Sequence, residues 1–138
     1  MAEDSAATLM QLAVAYGKAW NSADVDGILA LHTDDSVFQL HDGSLPAIGS
    51  VAVRTALREF FEQWSDATFV RRSVFFGKEN WAVEWTLTAR SRRVGESGAA
   101  GVTVSGVDIV TVRGGLVSAK HVYYDTGSVS KMLLPRAG

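Results

Sequence analysis

The stretch Gly106 to Asp125, GVDIVTVRGGLVSAKHVYYD, decides the fold. Two runs rich in β-branched residues flank Gly114-Gly115, a pair suited to the positive-φ positions of a two-residue turn, so two long antiparallel strands are predicted. Asp108 lies in register with Val110 and Val112, which puts a carboxylate on an apolar strand face where an ion is poorly solvated. Its neighbours on that face, Gly106, Val110 and Val112, cannot neutralise it, so the expectation is an acid kept protonated at neutral pH. Lys120 on the adjacent strand is the alternative: an Asp108–Lys120 ion pair would make the carboxylate structural.

Working outward, the same strand pattern reaches back to Thr68. Strands are predicted over Thr68 to Phe76, Trp81 to Arg93, Val102 to Arg113 and Leu116 to Tyr124, all antiparallel neighbours, with turns at Gly77-Lys78-Glu79-Asn80 and in the loop GESGAAG, Gly95 to Gly101. Trp81, Val83, Trp85, Leu87 and Ala89 share one strand face and Glu84, Thr86, Thr88 and Arg90 the other, so the sheet has one apolar side. Before Thr68 the apolar period is helical. Asp4 or Ser5 caps a first helix whose stripe is Leu9, Leu12, Ala13, Tyr16 and Trp20; Asp24 caps a second through Ile28, Leu29 and Leu31; a third carries Val53, Leu57, Phe60, Phe61 and Trp64 inward. A short strand, Val37 to Leu40, and the turn-rich HDGSLPAIGS lie between the second and third. Asp125 caps a last helix through Val129, Met132 and Leu133. Helices first and a meander afterwards is the order of an α+β domain in which helices cover one face of a curved antiparallel sheet.

The 138 residues make one domain of ordinary size, and 47% hydrophobic with 20% charged is a globular composition. Net charge is −2 with the signs interspersed, which speaks against nucleic acid or an anionic membrane as partner and leaves small molecules or a second copy. With Cys 0 there is no thiolate chemistry; MAEDSAATLM lacks the features of a secretory signal, and no apolar run approaches the roughly 18 residues of a membrane span, so a cytoplasmic protein is expected. The histidines lie apart and no carboxylate cluster joins them, so no metal is expected. Gly114-Gly115 precedes a strand, not the helix N-terminus that a phosphate loop needs, so no cofactor is expected either.

Four segments, YGKAWNSADVDGILALHTDDSVF, GSLPAIGSVAVRTALREFF, GVDIVTV and GGLVSAKHVYYDTGSVSKML, taken in this order and spacing, resemble the nuclear transport factor 2-like superfamily. That cone-shaped α+β (cystatin-like) fold includes steroid delta-isomerases, SnoaL-like polyketide cyclases, scytalone dehydratase and limonene epoxide hydrolase. The resemblance covers nearly the whole chain and implies an apolar cavity between helices and sheet, with a homodimer built on the outer sheet face. In the steroid-isomerase pattern Tyr16 falls on the oxyanion-hole tyrosine and Asp108 on the protonated aspartic acid. The aspartate that shuttles the proton falls on Leu40, so Asp42, on the same strand parity, or His41 beside it, is the candidate base from a shifted position. The epoxide-hydrolase pattern fits less well, one of its catalytic aspartates falling on Val122.

Two functions follow as expectations. The first is cofactor-independent acid/base chemistry (isomerisation, aldol cyclisation or dehydration) on a polyketide-, steroid- or terpenoid-like carbonyl compound, with Asp108 and Tyr16 stabilising an enolate and Asp42 or His41 moving the proton. Trp20, Leu40, Phe60, Trp64, Val83 and Trp85, together with Leu87, Val110, Lys120, Val122 and Tyr124, would bind the substrate. The second is a non-catalytic ligand-binding or dimerisation domain, supported by Leu40 at the base position. Lys120 is open to three readings: snorkelling to the cavity mouth, pairing with an acid, or acting desolvated as a base or Schiff-base amine. His32 is read as a surface residue at the end of the second helix, and His121 as facing outward, where a second copy would meet it.

Overall fold

The computed structural model describes residues 2–91 and 100–133. A long helix α1 (Ala2–Asn21) and a short α2 (Val25–Ala30) are followed by β1 (His32–Leu40), a two-residue β2 (Ala47–Ile48) and helix α3 (Ser50–Gln63). Four long strands come next, β3 (Trp64–Phe76), β4 (Asn80–Ser91), β5 (Ala100–Arg113) and β6 (Leu116–Tyr124), and helix α4 (Thr126–Leu133) ends the described chain. The strands form one curved sheet in the order β2-β1-β6-β5-β4-β3. The helices lie on its inner face, where alternate residues of β4, Trp81 to Ala89, are all buried against Leu12, Tyr16 and Trp20 of α1 and Val53 and Leu57 of α3. Each such fully buried aliphatic side chain contributes about 1.5–3 kcal/mol.

Local chemistry explains the element boundaries. Asp24 caps α2 by accepting from the Gly27 amide at 2.9 Å, and Asp125 caps α4 by accepting from the Ser128 amide at 2.9 Å. Gly114 and Gly115 both take positive φ, 60° and 81°, the conformation of the primed hairpin turn joining β5 to β6. Asn21 ties α1 to the sheet edge, since its amide donates to the Phe69 carbonyl and accepts from the Phe69 N–H.

Several expectations are corrected. The first helix starts at Ala2, so Asp4 and Ser5 lie inside it and do not cap it. Trp64 is extended (φ −110°, ψ 105°) and opens β3, not the inner face of α3. β1 begins at His32 and pairs with β6 in parallel, with a bulge between His32 and Val37, and β2 was not anticipated. His32-Thr33-Asp34-Asp35-Ser36 reads locally as a polar helix end, but pairing with β6 overrides that composition. The loop expected at 95–101 falls, but for its last two residues, outside the described residues, as do the side chains of Met132 and Leu133.

Candidate active site

β5 and β6 bring Asp108 and Lys120 together across the sheet. Asp108 pairs in register with Val122 and Val110 with Lys120, so the two side chains are diagonal neighbours on the inner face. Lys120 Nζ lies 3.3 Å from Asp108 Oδ2, and Trp85 Nε1 donates to Asp108 Oδ1 at 2.8 Å. Asp108 is 7% exposed and Lys120 4%. Both carboxylate oxygens therefore face donors, Lys120 at one and Trp85 at the other. The strand neighbours are apolar as read, and the neutralising group comes from the next strand.

Trp85 can lie across the sheet because residue 106 is glycine. A Cβ there would fall 2.4 Å from the Trp85 ring and 2.7 Å from the Tyr123 carbonyl. The Lys120 ammonium also sits 3.5 Å above the Trp20 ring centroid and 5.1 Å from that of Tyr16, so most of its solvation comes from aromatic faces. Burial pushes Lys120 below the ordinary lysine value while Asp108 pulls it back up.

A second polar chain runs behind this pair. Tyr16 Oη is 2.8 Å from His32 Nε2, and His32 Nδ1 is 2.9 Å from the Ser36 Oγ. All three side chains are buried. Burial, with the Lys120 charge adding to it, lowers His32 from 6.5 to about 4, so the imidazole is neutral and donates to one neighbour while accepting from the other. Burial raises the Tyr16 hydroxyl well above the usual tyrosine value, with the Asp108 charge adding to the effect, so it remains a donor. His32 and Ser36 were missed as interior residues, because the bulge between His32 and Val37 breaks the strand period that would have marked them. The buried Trp20 Nε1–H lies near the Tyr16 hydroxyl and offsets part of the rise in Tyr16, but among the described residues it meets no acceptor in full hydrogen-bond geometry.

Two interior cavities of about 50 and 60 Å³ share Trp20, Phe69, Trp85, Asp108 and Lys120 as walls. Each holds a few waters or the reacting end of a small molecule. The expected deep cavity is thus largely filled, because Trp20 packs against Phe38, Phe60, Phe61 and Phe69 with ring centroids 5.5–5.9 Å apart. Tyr16, Val83 and Val110 wall the second cavity; Leu40, Phe60, Trp64, Leu87, Val122 and Tyr124 wall the first. A separate pocket of about 400 Å³ shares Leu40, Phe60, Trp64 and Tyr124 with the first, and there Asp42 stands with Ser44, Leu45, Glu59 and Gln63.

The structure separates the two candidate bases from the interior and from each other. Asp42 is exposed at the mouth, accepting from the Ser44 amide and from the Tyr124 hydroxyl, each at 2.9 Å. Partial burial raises its carboxyl, but these bonds outweigh that and hold it below the usual range. His41 has the opposite parity and turns to the outer sheet face. It stacks on Tyr123 with ring centroids 4.1 Å apart, and its Nε2 is 2.9 Å from His121 Nδ1. Among the described residues no group of three or more His, Cys, Asp or Glu could hold a metal ion, and no helix is long and apolar enough to cross a membrane.

Comparison with known proteins agrees with this architecture. No curated protein matches the sequence. A candidate polyketide cyclase from Xanthomonas campestris pv. campestris is similar in structure with a TM-score of 0.83 at 19% identity, over 94% of this chain and 99% of that one. An NTF2-like protein of unknown function from Burkholderia pseudomallei gives 0.82 at 16% identity over 93% and 98%. A protein with a ketosteroid isomerase-like fold from Catenulispora acidiphila, in complex with trimethylamine, gives 0.77 at 14% over 90% and 93%. At these identities the likeness is one of fold. The SnoaL-like domain model matches residues 13–120, most of the chain, and the protein belongs to the SnoaL-like domain family.

Proposed function

We propose that the chain is a cofactor-independent enzyme that moves a proton on an apolar carbonyl compound, the step common to isomerisation, aldol cyclisation and dehydration. The observation that carries this reading is the buried Asp108–Lys120 pair, which walls both apolar cavities together with the Trp20 and Trp85 rings. The Asp108 carboxylate lines both cavities, and it takes the role of base in place of Asp42 and His41. The Asp108 carboxylate takes the proton from the carbon next to the carbonyl and returns it to another position. The Lys120 ammonium, the Tyr16 hydroxyl and the buried Trp20 Nε1–H beside it supply donors for the enolate oxygen. The reacting carbonyl enters the interior while the body of a polyketide-like molecule occupies the larger pocket at the mouth, with Asp42 and Tyr124 at its rim. Likeness in fold to the candidate polyketide cyclase supports that substrate class.

The test is hydrogen–deuterium exchange at the methyl carbons of acetone, a ketone small enough for the interior. The folded protein should accelerate exchange over buffer, and Asp108→Asn should lower the rate by about 10²–10⁴-fold. Exchange no faster than in buffer would favour the non-catalytic ligand-binding reading instead. A homodimer belongs to the same proposal: the outer sheet face exposes Val70, Phe75, Ile109 and Tyr123, and light scattering at micromolar concentration should give twice the monomer mass.

A further inference from the structure

We propose that Lys120 is an amine nucleophile that forms a Schiff base with a small ketone or aldehyde held between the Trp20 and Trp85 rings. The inference goes beyond proton transfer, in which Lys120 only donates, and it rests on that reading only for the class of ligand. Lys18 and Lys78 are exposed, whereas Lys120 is interior and walls both cavities. Among the described residues its Nζ pairs with one carboxylate oxygen, at 3.3 Å, and lies over the Trp20 and Tyr16 ring faces. An ammonium in that setting is short of acceptors, so the neutral amine is closer in energy here than at the surface, in line with the downward shift that burial imposes.

Asp108 makes the step balance without any further reagent. The ammonium passes one proton to the Asp108 carboxylate, leaving a free amine beside a carboxylic acid. The Nζ lone pair attacks the carbonyl carbon, the C=O π electrons go to oxygen, and one Nζ proton moves to that oxygen to give a neutral carbinolamine. The Asp108 acid then protonates the hydroxyl, the C–O bond breaks, water leaves and the nitrogen lone pair forms the C=N bond. The product is an iminium beside a carboxylate, carrying the same charges as the starting ion pair. The cage that holds the ammonium, Asp108 Oδ2 and the Trp20 face, therefore suits the iminium equally. The Trp85 indole holds Asp108 through its other oxygen, which fixes the acid while Oδ2 trades the proton.

The experiment incubates the full chain with acetone and sodium cyanoborohydride, then maps the modified lysines by mass spectrometry. An isopropyl group on Lys120, formed faster than on Lys18 or Lys78 and lost in Lys120→Arg, is the expected result. Equal labelling of all lysines, or none at Lys120, overturns the proposal. A second measurement needs no variant. Schiff-base formation expels the carbonyl oxygen, so wild-type protein should speed the loss of a heavy-oxygen label from acetone into water. Methyl-proton exchange without label loss overturns the Schiff base and leaves the acid/base reading standing; label loss and a Lys120 adduct without proton exchange upholds the Schiff base and removes that reading.

Discussion

Two histidine-bearing patches, around His32 and around His41, are built from similar residues and behave differently. Each places an imidazole against a tyrosine and a second polar group: Tyr16 and Ser36 in one case, Tyr123 and His121 in the other. His32 lies behind the sheet's inner face with all its partners buried, whereas His41 is stacked on the outer face with an exposed tyrosine. What separates them is strand parity and one bulge, not composition. The inner patch is tied to the Asp108–Lys120 pair through Tyr16, so its hydrogen bonds are exchanged against no water and each missing partner leaves a buried group unsatisfied.

The largest effect should come from splitting the ion pair. Asp108→Leu leaves an uncompensated buried ammonium and should cost about 3–5 kcal/mol, while the double change Asp108→Leu with Lys120→Met, similar in volume and uncharged, should recover most of it. Urea unfolding reports both; a single variant as stable as the double would show that the inner pair is not closed to water.

Next comes pH. His32 falls from 6.5 unfolded to about 4 folded, so the unfolded chain binds more protons between those values and stability rises with pH across the window. The contribution is fully present above pH 6.5 and is lost as pH falls towards 4, an amount of about 3 kcal/mol. Denaturant midpoints at successive pH values should show this slope in the wild type and lose it in His32→Gln. A slope that survives the substitution would assign it to another group.

Smaller again is Trp85→Phe, which keeps most of the ring but removes the donor to Asp108 Oδ1, at a cost of about 1.5–3 kcal/mol measured by the same unfolding. The smallest change expected is His41→Ala, which removes one ring stack and one half-exposed hydrogen bond, about 0.5–1.5 kcal/mol. If His41→Ala cost as much as Asp108→Leu, the contrast between the two faces would fail.

The inner face of β4 to β6 was legible because strict alternation from Trp81 to Ala89 and from Asp108 to Val112 allows only one side to be buried. The family resemblance, not the alternation, implied that Leu40, Val122 and Tyr124 face a cavity, and they line one. Asp108 was legible as an anomaly, and its pairing with Lys120 as one of two alternatives, between which register across the hairpin decides. His32 and Ser36 were illegible: a bulge breaks the period, and parallel pairing to a strand some eighty residues on leaves no local trace. His41 was placed near the base by sequence proximity, which the pleat contradicts, because neighbours on a strand face opposite ways.

The seat of the Lys120 ammonium over Trp20, with Trp85 bonded to the opposite charge, has an optical consequence. An indole's excited state is sensitive to charges on either side of its ring, so these two tryptophans report the state of the pair they enclose. Anything that neutralises, displaces or covalently consumes the amine should shift the intrinsic emission without an added dye. Trp20→Phe and Trp85→Phe would each remove one of the two reporters. The protein can then be titrated with candidate carbonyl compounds by its own fluorescence, and the rings that enclose the lysine would report any reaction proposed for it.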